Sequence, residues 1–75
     1  MRYEDIIFKI QRHGNDWVYD FNIPGGRYNG YTRDKNTFHV WDDQLQATTS
    51  YEGLAPFKQF LQNLDAGNTQ TQQSN

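Results

Sequence analysis

The chain has 75 residues and no cysteine, which limits it to one domain and excludes disulfide frameworks, thiolate metal sites and a cysteine nucleophile. Seven Lys and Arg against nine Asp and Glu give a formal charge of −2, which argues against a nucleic-acid binder carried by bulk electrostatics. No apolar run approaches the roughly 18 residues of a membrane span, and the charges in MRYEDIIFKI interrupt the apolar stretch a signal peptide needs. The expectation is a soluble, cytoplasmic protein with no membrane partner.

Charge is nevertheless uneven. Residues 1–40 hold six of the seven cations against five acids, while 41–75 hold Lys58 against four acids. A basic patch fits this distribution better than a basic protein. Five Phe, five Tyr and two Trp compensate for few aliphatic residues, since each aromatic ring buries roughly 150–250 Å².

Period-2 alternation dominates the first half. In DIIFKIQRHG, Ile6, Phe8 and Ile10 share one face, and Ile7, Lys9 and Gln11 the other. HGND then reads as a tight turn. DWVYDFNI follows with Trp17, Tyr19, Phe21 and Ile23 on one face and Val18, Asp20 and Asn22 on the other. Pro24 with Gly25 and Gly26 ends this second strand. RYNGYTR predicts a third strand with a bulge or a close backbone approach at Gly30. RDKN is a polar turn, and TFHVW a fourth strand with Phe38 and Val40 facing inward. A fifth strand is expected after a turn at Asp42–Asp43, with Leu45 and Ala47 inward.

The period changes after Thr49. TSYE matches a capping box, Thr49 as the cap and Glu52 three residues on. Pro56 fits the first turn of the main helix. Leu54, Phe57, Phe60, Leu61 and Leu64 fall within an arc of about 120°, and Gly67 is a natural stop. The final stretch, rich in Asn, Gln, Thr and Ser, cannot offset its ordering entropy and is expected to be disordered.

The predicted fold is therefore α+β: a small antiparallel meander of three to five strands, with one C-terminal amphipathic helix packed on one face. Residues 1–66 form the domain and 67–75 a disordered polar tail. One helix covers one sheet face, so the other face should be open. It is expected to carry Lys9, Tyr31, Arg33, His39 and Trp41, a set of aromatics among cations that suits a partner-binding platform. The expected function is that of a non-catalytic adaptor or regulator binding another protein, or itself, through those five residues. The alternative is a nucleic-acid interface on the hairpin around 27–35, formed by Arg27, Arg33, Lys35, Lys9 and Tyr31.

Other chemistry has little support. GGRYNG lacks both the GxGxxG spacing and the GK[ST] ending of phosphate-binding loops and leads into a strand. His39 and Asp43, with His13 in a different turn, fall short of the three or four converging ligands a metal needs. No nucleophile elbow is present, and a thin core leaves little room for a pocket of about 300 Å³ or more. No catalytic residue, metal or small-molecule cofactor is expected.

Overall fold

The computed structural model describes residues 1–73, with side chains described as far as Asp65. A 3-10 turn at Tyr3–Asp5 leads into five strands: β1 (Lys9–His13), β2 (Asp16–Asn22), β3 (Tyr28–Thr32), β4 (Thr37–Asp42) and β5 (Ala47–Glu52). They form one antiparallel sheet in the order β1-β2-β3-β4-β5. The helix α1 (Leu54–Gln73) follows and packs on one face. This is the expected α+β meander at its upper count of five strands.

Short polar turns make the meander possible, because each brings its two strands into pairing distance at small entropic cost. Two turns are tied by an aspartate. Asp34 Oδ1 accepts the N–H groups of Asn36 and Thr37, each at 2.9 Å. Asp42 Oδ1 likewise accepts those of Gln44 and Leu45, at 3.0 and 3.2 Å. Asp42 thus acts as the turn signal anticipated for it.

The core lies between the sheet and α1 and consists of Ile6, Phe21, Ile23, Phe38, Val40, Phe57 and Leu61. Phe57 stacks on Phe38, the ring centroids 4.1 Å apart and the planes within 6°. Of the predicted helix stripe, Phe57 and Leu61 are buried, while Leu54, Phe60 and Leu64 pack around them. Gly30 marks a close approach rather than a bulge, since the β2–β3–β4 register runs through it unbroken. A Cβ there would run into the His39 carbonyl oxygen and lie 2.9 Å from the Phe21 ring.

Several local expectations are corrected. Thr49 and Glu52 belong to β5, so TSYE caps no helix; the six-residue ladder with β4 takes this segment first. The chain enters α1 instead through Gly53, whose φ of 104° few other residues adopt. The fifth strand begins at Ala47, and neither residue expected to face inward is buried: Leu45, in the turn before it, and Ala47 are both exposed. Ile10 and Trp17 lie on the helix side by alternation, yet they are 63% and 64% exposed. The reason is where α1 lies. Phe57 sits on Phe38, Phe60 on Tyr28 and Tyr51, and Leu64 lines one groove with Ile23 and Pro24. That path leaves the tip of the β1–β2 hairpin uncovered.

Gly67, the expected stop, lies within α1. The expected disordered tail, 67–75, falls where side chains lie outside the described residues. Among those described, no helix is long and apolar enough to cross a membrane.

Candidate functional site

The face opposite α1 is assembled by register. Lys9, Asp20, Tyr31, His39 and Ser50 are successive cross-strand partners, so one row runs across all five strands on this face. Beside it runs a second row of Asn22, Asn29, Trp41 and Thr48. Side chains on one face of paired strands lie within roughly 4.5–5.5 Å of their partners, so these rows form continuous surfaces.

Tyr31 is the centre of a layer of rings. His39 lies 4.9 Å from it at 31°, and His13 lies 5.4 Å away on the other side. The Arg33 guanidinium is 5.4 Å from the Tyr31 ring centroid. Each polar group has a further tether: His39 Nδ1 to Ser50 Oγ at 2.9 Å, His13 Nε2 to the Asp20 carboxylate at 3.1 Å, and Arg33 Nη2 to Asp16 at 3.5 Å.

Beneath this layer lies Val18, which alternation places on this face and which is only 1% exposed. It is not part of the helix-side cluster. The supposedly open face is therefore roofed by its own side chains over β1–β3. Trp41 differs. It is the large apolar side chain of the second row, 36% exposed, with Asn29 and Thr48 as its flanking partners.

The five residues predicted for partner binding thus share one face. Lys9, Tyr31 and His39 occupy one row, Arg33 packs on Tyr31, and Trp41 stands in the adjacent row. The set predicted for nucleic acid is divided instead. Arg27 grips Asp42 with Nε on Oδ1 and Nη2 on Oδ2, each at 3.0 Å, and lies over Tyr28 on the helix side. Lys35, in a turn with φ 57°, folds back until Nζ is 4.6 Å from the Tyr19 ring and 5.2 Å from that of Phe8. The hairpin around 27–35 therefore does not present Arg27, Arg33 and Lys35 on one surface.

The Arg27 fork holds the Asp42 carboxyl below the usual carboxylate range, helped by the Leu45 and Gln44 amides. The amides of Thr37 and Asn36 do the same for Asp34. Both shifts arise from turn-forming contacts away from the ring layer.

His13, considered above only as a metal ligand, and Ser50 also belong to this surface. The two-residue HGND turn was the available signal, because it pairs His13 with Asp16 and so puts His13 on the face of Lys9 and Gln11. On the other side of the sheet, Ile23, Pro24, Tyr28, Phe60 and Leu64 line a groove of about 640 Å³. It lies between the 23–28 turn and the 60–65 stretch of α1, and it exceeds the space expected from so thin a core.

No protein family, curated protein or solved structure matches the chain. The geometry of its faces therefore carries the functional reading.

Proposed function

We propose that this protein is a non-catalytic adaptor or regulator that binds another protein, or a second copy of itself, through the helix-free sheet face. Trp41 is the anchor, with Tyr31, His39, Arg33 and Lys9 on the same face. The observation that carries the reading is the pairing of an accessible tryptophan with a neighbouring ring layer already held in place. Tryptophan is prominent among binding hot spots. Side chains already tethered in the free protein lose little rotamer freedom on binding. A chain without cysteine suits the reducing cytoplasm, where the partner is to be sought.

The test is affinity capture from the native cell followed by titration of the recovered partner. Trp41→Ala should weaken binding by about 30-fold or more, the 2 kcal/mol scale of a hot spot, and leave the circular dichroism spectrum unchanged. Tyr31→Ala added to it should abolish capture. Light scattering distinguishes a second copy from a different protein. Retention of full affinity by a folded Trp41→Ala variant would remove this face as the site.

A further inference from the structure

A second surface, the edge of the sheet at β1, shares Lys9 with the Trp41 face but stands on different observations. β1 is an edge strand, and its outward side is defined by the β1–β2 turn. Gly14–Asn15 is a two-residue connection closing on the His13–Asp16 pair. Such a connection makes the closing pair a hydrogen-bonded one. By alternation, Lys9, Gln11 and His13 bond to β2, whereas the N–H and C=O groups of Ile10 and Arg12 face away from the sheet.

The side chains at this edge are as distinctive as its backbone. Ile10 and Trp17, diagonal neighbours on the helix side, are the exposed apolar pair that α1 fails to cover. Arg12 packs its guanidinium 6.0 Å from the Trp17 ring, and its Nε donates to the Gly14 carbonyl at 3.0 Å. Neither Arg12 nor Lys9 forms an ion pair among the described residues, whereas the nearby Asp16 and Asp20 are engaged by Arg33 and His13. From Ile6 to Asn15 the sequence holds no acidic residue.

We propose that the β1 edge accepts an extended acidic segment of a partner protein as a sixth, antiparallel strand. Main-chain bonds at Ile10 and Arg12 would supply affinity, and alternate side chains specificity, as in other strand additions. Read from its N-terminus, the incoming strand meets Arg12, Gln11, Ile10 and Lys9 in turn. The complementary pattern is acidic, any, apolar, acidic, with the apolar residue against Ile10 and Trp17. A second copy is a poor occupant, because β1 against β1 gathers two Lys9 and two Arg12 with no carboxylate on either strand. Edge cations deter neutral and basic strands, and here the same charges would select an acidic one. The opposite edge, β5, has Glu52 as its only charge and offers no such selection.

The experiment uses the full chain and a capped eight-residue peptide with Glu-Thr-Val-Glu at its centre, followed by amide hydrogen exchange and titration. Saturable binding should slow exchange at Ile10 and Arg12 by about tenfold or more, with the charge-reversed peptide Lys-Thr-Val-Lys at least about tenfold weaker. Lys9→Glu combined with Arg12→Glu should invert that preference. The inversion, a gain of binding to the lysine peptide, shows that the variant is folded. A folded variant that fails to invert overturns the proposal, as does equal binding of both peptides. So does concentration-dependent protection of these amides without peptide, which would make a second copy the occupant. Tighter binding of a thymidine oligonucleotide at the same residues would overturn it in favour of nucleic acid.

Discussion

Asp34 and Asp42 close two of the turns that fold the strands on one another, and both do so as carboxylates. Their folded-state acidities are shifted in the same direction, Asp42 first by Arg27 and Asp34 first by the Thr37 amide. A carboxyl whose folded pKa lies below its unfolded value of about 3.9 contributes stability that is complete above that value. The contribution is lost as pH falls through the folded value, so stability should decline below about pH 4. Asp42→Asn keeps the shape of the side chain but removes this linkage. It should lower the urea midpoint at pH 7 and shrink the difference between midpoints at pH 7 and pH 3. Gly30 is the other position where one atom matters. Gly30→Ala drives a Cβ against the His39 carbonyl and the Phe21 ring, and backbone cannot yield as a flexible side chain does. The expected loss is about 3 kcal/mol, the upper end for overpacking, measured by urea denaturation.

At the scale of the element, α1 decides which aromatics are core. Its buried positions, Phe57 and Leu61, meet Phe38, Phe21 and the strands around them. Phe57→Ala should cost about 3–5 kcal/mol, a large part of the 5 kcal/mol or so available to a small domain. The variant should be partly unfolded at 25 °C by near-ultraviolet circular dichroism. Trp17→Ala removes a larger side chain from the same nominal face. It should change stability by no more than about 0.5 kcal/mol, because α1 does not reach it. Equal losses at both positions would mean that the hairpin tip is covered after all. The contrast separates alternation, which both residues obey, from burial, which only Phe57 achieves.

For the whole molecule, each strand pairs with its sequence neighbours and the helix closes over them. Contacts of this kind are mostly local, so the entropy of closing long loops is small and folding should be fast. Among the described residues one cluster of seven forms the core, which gives no basis for a separately stable half. Far-ultraviolet circular dichroism and tryptophan emission should report coincident urea transitions, and divergence would indicate a β1–β2 hairpin that opens on its own. The two sheet faces nevertheless differ in chemistry. One is an aromatic core under α1; the other is a tethered layer of His13, Tyr31, His39 and Arg33 over Val18. With partner surfaces proposed on the helix-free face and at the β1 edge, helix packing remains free to serve stability.

Much of this design could be read from the residues. Alternation alone placed Phe38 and Val40 toward the helix, Tyr31 and Arg33 away from it, and Lys9, His39 and Trp41 on one face. The stripe from Leu54 to Leu64 located the helix and its buried side. These are local properties, set by a period of two or of 3.6 residues along the chain. What alternation cannot supply is how far a covering element extends. The exposure of Ile10 and Trp17 and the burial of Val18 depend on where α1 ends its path and which side chains lean over a neighbour. Likewise, the capping pattern at Thr49–Glu52 gave way to a ladder with β4, and the cations of 27–35 were divided by partners at Asp42 and Tyr19. Which face each strand residue occupies is legible along the chain, because it follows from covalent geometry. Which of those residues are accessible emerges only on folding, because accessibility depends on contacts between segments distant in the chain.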